Sequence, residues 1–504
     1  MTARATHHVS PVRATRLLPW CGGALTTLAV LFATAPRGPG LTPDGMSYLA
    51  AAQSFSHGGR LREPFAPWSS PDSTSRLADY PAGFSIALAV PMALGMSPPQ
   101  AARWLEALSL GLTVGFAVHL LGALAGAWGA VAGCCLLFLM PALADISLLV
   151  VSEPLFLLIM VACLATMVRH PDRPLVAGSL AAAGNLVRYA GTFLVAGVVI
   201  WSAVQPGSWQ RRTVRAGVAA VPGLLLHAFW RLVGIDPGGG LTSSAYGGVG
   251  EALGEGWRTG LAWLAPGLAG AAQTAVTLGL LAGLVALLWM GYRRGAGEAR
   301  RLYQVCGVLA VLYVGTVGFA RLYVIPDIPF DSRILSPFFL TASLAAATAV
   351  GAVGAVAQGA RARAAVTALA VTAWCVLAGV RDVQVVRRAR AMGLDYETAE
   401  WQESPVADWL RGPGRALTLY TTDPAGIWFI NGRPSRLLPD TLDADSVRAF
   451  RRQFESRPSA LVAFDVPFSE MAPADSIVAA LKLRAVARFG HGVVWETPHP
   501  AWQH

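Results

Sequence analysis

Long apolar stretches recur along most of this chain, and they decide what it can fold into. A bilayer core about 30 Å thick is crossed by a helix of roughly 17 to 25 apolar residues. Stretches of this kind lie at 17–35, 102–123, 128–142, 148–168, 175–186, 189–204, 218–233, 272–290, 302–320, 335–353 and 364–380. The pattern predicts a mostly α, polytopic membrane protein of about eleven transmembrane helices.

The composition agrees with a membrane protein. Hydrophobic residues make up 54% of the chain and charged residues only 13%, whereas an ordinary soluble domain has roughly 25% charged residues. The net charge of +10 is carried almost wholly by arginine, since the only lysine is Lys482. No basic stripe interleaved with aromatic residues occurs, which argues against a nucleic-acid partner. All six cysteines lie in apolar stretches without metal-ligand spacing and are interpreted as buried hydrophobic residues.

The distribution of arginine predicts the orientation, because short cytoplasmic loops carry the excess positive charge. The N-terminus and every second loop hold clusters: Arg4, Arg13, Arg16, Arg169, Arg173, Arg211, Arg212, Arg215, Arg293, Arg294, Arg300, Arg301, Arg361 and Arg363. We therefore predict an inner (plasma) membrane protein whose N-terminus is cytoplasmic and whose C-terminus is outside.

The first apolar stretch has a second interpretation as a cleaved signal peptide. Arg13 and Arg16 precede it, and Ala33-Thr34-Ala35 resembles a small-residue cleavage site. Retention is favoured, because the apolar run is long for a signal core.

After Arg381 charged residues become frequent and the apolar groups become short. Strands are predicted at 416–421, 460–464 and 493–496, and short amphipathic helices at 445–456 and 475–482. Three parts follow: a cytoplasmic tail at 1–16, a transmembrane domain at 17–380 with a large first outer loop at 36–101, and an outer-face soluble α/β domain at 381–504.

Asp44 lies just beyond the first span, in the outer loop. A carboxylate at a membrane mouth, in a chain so poor in charge, is a candidate for chemistry at the membrane surface. The apolar spacing of 44–57 predicts a helix along the interface, with Asp44 as its N-cap and Gly58-Gly59 at its end. A helix cap is therefore the alternative role for Asp44. A second interfacial helix is predicted at 85–96.

Several short motifs, in this order and spacing, resemble the GT-C glycosyltransferases, in particular the bacterial branch related to protein O-mannosyltransferases and lipid A aminoarabinose transferase. The motifs are Asp44-Gly45-x-x-Tyr48-x-x-x-Ala52, Tyr80-Pro81-Ala82-Gly83-Phe84, Ser152-Glu153-Pro154-Leu155-Phe156, Arg188-Tyr189-Ala190-Gly191 and Arg333-Ile334-Leu335-Ser336-Pro337. Residues 420–434 are similar to a strand-loop pattern of the outer domain in that family. Ala82 stands where the family often has a second proline.

The resemblance implies an inverting transferase that moves a sugar from a polyprenyl-phosphate donor to a hydroxyl acceptor at the outer face. The acceptor could be a glycan, a lipid or a protein. Asp44, matching the first-loop aspartate of the family, is the candidate base, and Glu153 is the second candidate catalytic acid. Arg188, Arg333 and Arg321 are candidates for binding the donor phosphate, because arginine pairs with phosphate in bidentate geometry.

Other polar residues near these motifs are candidates for supporting or acceptor-site roles: Asp79, Tyr80, Asp145, Tyr48 and Tyr189. A divalent cation, Mg²⁺ or Mn²⁺, is the candidate cofactor, with Asp44 and Glu153 as its candidate ligands. Glu153 could instead be an acceptor-site group or pair with an arginine such as Arg188. The arginines could simply snorkel from helix ends, and Asp79 could cap a turn.

Two other functional classes were weighed against the transferase. A secondary transporter is expected to show inverted halves and polar residues near the bilayer centre. Here the candidate polar residues are predicted at one face, and no symmetry between halves is visible. A non-catalytic membrane protein of envelope polysaccharide handling would not require acids and arginines at the same face.

Overall fold

The computed structural model describes residues 11–232, 248–324, 328–356, 361–465, 471–490 and 492–497. Helices dominate it: α1 Pro11–Ala33, α2 Pro43–Gly58, α3 Ala82–Ala93, α4 Pro98–Phe138, α5 Pro141–Ile146, α6 Glu153–Arg169, α7 Pro174–Val187, α8 Thr192–Val204, α9 Trp209–Leu232, α10 Val249–Leu264, α11 Gly270–Arg294, α12 Gly297–Tyr323, α13 Ser336–Val356, α14 Arg361–Met392, α15 Ala399–Gln402, α16 Pro405–Arg411, α17 Pro424–Asn431, α18 Ala444–Glu455 and α19 Ala474–Leu481. The strands are β1 Arg62–Glu63, β2 Phe65–Ala66, β3 Ser75–Arg76, β4 Thr418–Thr421, β5 Ser435–Leu437, β6 Ser459–Phe464, β7 Arg484–Phe489 and β8 Gly492–Glu496.

The chain divides into two compact units. The helical unit comprises Met1–Thr34, Trp104–Leu148 and Ser152–Arg388. The sheet unit comprises Ala35–Arg103, Leu149–Val151 and Ala389–His504. The first outer loop thus groups with the C-terminal residues, whereas the sequence predicted it as part of the transmembrane domain. The predicted domain boundaries stay predictions, and residues 1–10 of the predicted tail lie outside the described residues.

The helical unit confirms that the chain is mostly α-helical, since each of the eleven apolar stretches overlaps a helix. Two of the stretches, 102–123 and 128–142, belong largely to α4, which bends at Gly126, where φ is 69°. Among the described residues, six helices are long and apolar enough to cross a membrane. The number eleven therefore stays a prediction. Helix α10 was not predicted, because its polar and apolar residues form no continuous apolar stretch.

Close helix packing in this unit depends on small side chains. A Cβ atom added at Gly178 of α7 would lie 2.2 Å from the carbonyl oxygen of Ala219 in α9. Such a distance is far below a van der Waals contact, so only glycine allows the two backbones to approach this closely.

The sheet unit is built around a six-stranded sheet with the strand order β2-β5-β4-β6-β8-β7. Strands β2, β5, β4 and β6 are parallel, and β8 and β7 run antiparallel. All six residues of β6 are buried, as expected for a strand covered on both faces. Leu419 and Val462 contribute to one apolar core, while Tyr420 and Leu461 contribute to the other.

The predicted strands at 416–421, 460–464 and 493–496 are found as β4, β6 and β8, and the predicted amphipathic helices as α18 and α19. The strand-loop interpretation of residues 420–434 was wrong, because α17 follows β4. Asp423 caps this helix by accepting from the backbone N–H groups of Ala425 and Gly426 at 3.0 and 3.1 Å. An aspartate followed by proline is a common helix start.

Candidate functional site

Glu153 is the most deeply buried of the predicted site residues. It is the first residue of α6, directly before Pro154, and only 1% of its surface is exposed. A carboxylate in the first turn of a helix is stabilised by the positive end of the helix dipole. Burial of a carboxylate nevertheless costs several kcal/mol unless a positive charge pairs with it.

Two arginines supply that charge. The Nη1 atom of Arg188 lies 2.6 Å from Oε1 of Glu153, and the Nε atom of Arg333 lies 3.4 Å from the same oxygen. Arg188 also donates to the Ser152 hydroxyl at 3.0 Å. Of the roles left open for Glu153, the structure therefore contains the ion pair with an arginine.

Backbone geometry positions Arg188. It ends α7 in an extended conformation, with φ −145° and ψ 133°, before a short 3-10 turn at Tyr189–Gly191. The ring of Tyr189, another predicted site residue, packs edge-on against Trp230 with centroids 5.5 Å apart. Tyr189 therefore helps to fix the turn that follows Arg188.

Arg333 belongs to a short segment before α13, and this segment is held by its neighbours. The Asp331 carboxylate accepts from the backbone N–H of Ile334 at 2.8 Å. The Ser332 hydroxyl donates to Asp145 at 2.7 Å, and Asp145 also pairs with Arg381. Asp145 thus contributes to holding the segment that carries Arg333. Burial raises the pKa of Asp331, and the nearby Arg333 charge opposes that rise only in part.

Arg321 lies in a different ion pair. Its Nη1 atom is 2.6 Å from the Glu255 carboxylate of α10, and it donates to the Ile328 carbonyl at 2.5 Å. Its guanidinium also lies over the Phe330 ring, 5.3 Å from the centroid. The structure therefore brings Glu153, Arg188 and Arg333 together and gives Arg321 separate partners.

Asp44 and Tyr80 form the second group of predicted residues, in the sheet unit. The Tyr80 hydroxyl donates to Oδ1 of Asp44 at 2.8 Å. Burial first, and the Asp44 carboxylate second, raise the pKa of Tyr80 far above its ordinary value, so the phenol stays a proton donor. Tyr48, one turn along α2, packs against Tyr80 with ring centroids 5.0 Å apart. Three motif residues thus share one contact network.

The prediction that Asp44 caps α2 was wrong. The N-cap is Thr42, whose hydroxyl accepts from the Gly45 N–H at 3.1 Å. Pro43 explains the shift, because proline is favoured at the first helical position and so places the cap at Thr42, two residues before Asp44. The predicted end of the helix is confirmed, since Gly59 is the left-handed C-cap with φ 66°. The carboxylate of Asp44 is therefore not needed to begin the helix. The second predicted interfacial helix, 85–96, is found as α3 at Ala82–Ala93.

The whole chain was compared with known proteins. No protein-family model matches the sequence, and no curated protein sequence matches it significantly. Solved structures do match. ArnT from Cupriavidus metallidurans bound to undecaprenyl phosphate superposes with a TM-score of 0.62 at 16% identity, covering 98% of this chain and 99% of that one. The same protein in its apo state gives a TM-score of 0.57 at 15% identity, covering 97% and 98%.

Arabinofuranosyltransferase AftD from Mycobacteria gives a TM-score of 0.54 at 14% identity, covering 98% of this chain but 40% of the longer AftD chain. These structures share the GT-C fold. This chain has the GT-C fold. The likeness, together with the six long apolar helices, makes the protein a multi-pass membrane protein.

The predicted divalent cation was tested against the ligands that the GT-C fold of this chain offers. Two positively charged arginines already lie beside Glu153, so this carboxylate is poorly suited to bind a metal ion as well. Within the described ranges, no group of three or more His, Cys, Asp or Glu side chains could hold a metal ion. The cation stays a prediction.

Sequence reasoning missed one buried acid in the sheet unit of this GT-C fold. Glu63 of β1 is 3% exposed, and its Oε1 atom has no hydrogen-bond partner among the described residues. Burial and the charge of the exposed Asp79 raise the pKa of Glu63 to about 8, and the Ser47 and Ser75 hydroxyls oppose that rise only in part. Tyr80 also interacts electrostatically with this carboxyl group. No motif marks Glu63, since it stands between Arg62 and Pro64 in an irregular loop sequence.

Replacing Glu63 by Gln is expected to stabilise the protein at alkaline pH. Below pH 4.5 both states are protonated, so the full stability is present. Between 4.5 and about 8 only the unfolded state loses the proton, so the free energy of unfolding falls as pH rises. At about 1.36 kcal/mol per pKa unit, the wild type loses on the order of 5 kcal/mol that Glu63→Gln retains.

The measurement is the melting temperature of the detergent-solubilised protein from about pH 4.5 to pH 9. The variant should match the wild type at the acid end and exceed it increasingly above neutral pH. Asp72→Asn is the matched control, because the Asp72 side chain is 63% exposed. Parallel curves for wild type and Glu63→Gln would show that Glu63 is not protonated in the folded state.

Proposed function

We propose that this protein is an inverting glycosyltransferase of the plasma membrane. It would transfer a sugar from a polyprenyl-phosphate donor to a hydroxyl group of an acceptor at the outer face. The observation that carries the proposal is the buried Glu153 carboxylate shared by Arg188 and Arg333. The similarity in fold to ArnT, whose structure contains undecaprenyl phosphate, supports the same donor class.

The paired arginines suit a lipid phosphate. The side chains of Arg188 and Arg333 are 15% and 24% exposed, so both are partly withdrawn from water yet reachable. Both guanidinium groups lie within 3.4 Å of one Glu153 oxygen, and guanidinium groups recognise phosphate oxygens through paired, charge-assisted hydrogen bonds. Held by a buried carboxylate, the guanidinium groups need little reorganisation when charge develops on the phosphate, and such fixed donors stabilise a transition state most effectively.

Arg321 is the weaker candidate for this role. It pairs with Glu255 of α10, apart from the carboxylate that Arg188 and Arg333 share. Arg321 is therefore assigned a structural role, in which it joins α12 to α10 in the helical unit. Arg188 and Arg333 are assigned to the donor phosphate.

Asp44 is assigned as the general base. The acceptor hydroxyl oxygen forms the new bond to the anomeric carbon, and its proton passes to the Asp44 carboxylate. The bond from the anomeric carbon to the phosphate oxygen breaks, and its electron pair leaves with the polyprenyl phosphate. Attack opposite to the leaving group inverts the anomeric configuration. The Tyr80 hydroxyl donates to Oδ1 of Asp44 and so helps to orient the carboxylate that takes the proton.

The test uses the purified full-length protein in lipid nanodiscs. Polyprenyl-phosphate donors carrying different labelled sugars are supplied with a set of glycan, lipid and peptide acceptors, and product formation is followed by mass spectrometry. We expect one donor to be consumed and NMR of the product to show an inverted anomeric centre. A parallel reaction with EDTA, followed by Mg²⁺ or Mn²⁺ addition, tests the predicted cation.

Two results would contradict the proposal. Retention of configuration would exclude direct attack by the acceptor. Uptake of free sugar or glycan into proteoliposomes, with no consumption of any lipid-linked donor, would favour a secondary transporter instead.

A further inference from the structure

A cavity with a volume of about 500 Å³ lies within the sheet unit. It is formed by the C-terminal half of α2, the loop around β1 and the end of α17. Ser54, on the cavity wall, is ten residues along α2 from Asp44, which corresponds to about 15 Å of helix. Asp44 and Tyr80 do not line the cavity, although Ala50 on the same helix and Glu63, which interacts electrostatically with Tyr80, both do. Its size is within the range of roughly 300 to 1,000 Å³ that small-molecule sites occupy.

The wall combines one aromatic ring with several hydrogen-bonding groups. Trp428 and Pro434 supply apolar surface, and Gln53, Ser54, His57 and Thr74 supply donors and acceptors. Two of the polar groups are held in place by internal hydrogen bonds. A ring nitrogen of His57 is 2.8 Å from the carbonyl of Gln53, and Arg62 donates to the Thr74 hydroxyl at 2.8 Å. A site with fixed polar groups loses little entropy when a ligand binds.

The charges in the wall disfavour an anion. Arg62 is the only arginine among the described residues that lines the cavity, and it already pairs with Asp72 at 3.3 Å. Glu63 also lines it, and its buried carboxyl oxygen has no hydrogen-bond partner among the described residues. At neutral pH this carboxyl group is mostly protonated, because burial raises its pKa to about 8. It can then donate as well as accept a hydrogen bond.

Mixed polarity of this kind matches a sugar ring. A pyranose or furanose has hydroxyl groups that both donate and accept, and it has an apolar C–H face that can pack on an indole ring. A phosphate would meet a single arginine that already pairs with Asp72, and an acyl chain would leave the polar groups unpaired. We infer that this cavity binds a neutral saccharide through Trp428, Gln53, Ser54 and Glu63. The assignment of this cavity as a site for the acceptor glycan rests on the proposed function. The binding of a neutral saccharide does not depend on that function.

The experiment is saturation-transfer NMR on the detergent-solubilised full-length protein with a panel of methyl glycosides of neutral hexoses, pentoses and N-acetylhexosamines. At least one glycoside should receive saturation from the wild type. Trp428→Ala should weaken its binding at least tenfold, and Ser54→Ala should weaken it severalfold. Ser56→Ala is the matched control, since Ser56 is on the same helix but does not line the cavity.

Gln53→Ala serves as a second variant in case Trp428→Ala fails to fold, because Gln53 is exposed and its replacement does not disturb the core. It should also weaken glycoside binding. If no glycoside binds the wild type, or if binding survives in Trp428→Ala and Gln53→Ala, the inference is wrong. Asp44→Asn separates it from the proposed function. Glycoside binding that persists in Asp44→Asn supports the cavity as an independent site, whereas binding lost in Asp44→Asn but kept in Trp428→Ala would place the sugar elsewhere.

Discussion

Replacing Arg333 by Ala is expected to lower sugar transfer at least 100-fold while the protein remains folded. The Arg188–Glu153 pair, at 2.6 Å, stays intact in this variant, so no buried carboxylate is left unpaired. What is lost is the second guanidinium, 3.4 Å from the same oxygen. Removing one fixed donor from a developing oxyanion costs about 10²- to 10³-fold in other enzymes.

The transfer rate and the affinity for undecaprenyl phosphate are measured together for Arg333→Ala. Arg333→Lys should recover part of the affinity, because lysine keeps the charge but lacks the planar fork of arginine. Arg258→Ala is the control, since Arg258 is an exposed arginine of α10 in the same unit. Wild-type transfer in both Arg333→Ala and Arg188→Ala would remove these two residues from the phosphate site.

Arg188→Ala and Arg333→Ala should differ in stability. Arg188 makes the shorter contact with Glu153 and also binds Ser152. Its removal leaves Glu153 with the more distant Arg333, and breaking a buried pair can cost about 3 to 5 kcal/mol. A lower melting temperature for Arg188→Ala than for Arg333→Ala is therefore part of the expected result.

The sequence predicted the helical part of the fold well for a simple physical reason. A membrane span must be long and apolar, so each apolar stretch falls on a helix even where α4 bends at Gly126. Long apolar stretches do not predict α10, because its amphipathic sequence resembles that of a helix in a soluble protein. The apolar pattern also does not predict β2, a strand of two residues that forms only because it pairs with β5.

Prediction of the candidate site depended on charge being rare. Arg188 and Arg333 were predicted because each stands at the end of an apolar stretch, and Glu153 because a carboxylate inside such a stretch is costly. All three also lie in family-like motifs, and the structure brings them together. Arg321 also stands at the end of an apolar stretch, yet it pairs with Glu255. Helix packing decides which acid each arginine meets. The sequence did not predict the burial of Glu63, since that burial results from contacts with residues distant in sequence.

Replacing Asp44 by Asn is expected to reduce transfer by about 10²- to 10⁴-fold, the usual contribution of a general base. The change keeps the size and shape of the side chain but removes its ability to take the acceptor proton. Stability should change by less than about 1 kcal/mol, because Thr42 is the N-cap and the amide oxygen of Asn can still accept from the Tyr80 hydroxyl. A cap role and a catalytic role thus predict different results.

Thr42→Ala is the matched control for the helix start. It should cost about 1 kcal/mol of stability through the lost bond to Gly45 while transfer by the folded protein persists. Tyr80→Phe tests positioning, because it removes only the hydroxyl that donates to Asp44. It should lower kcat severalfold and leave KM for the donor unchanged. If Asp44→Asn retains wild-type kcat while Thr42→Ala is destabilised as expected, Asp44 is a structural residue and the base must be another group.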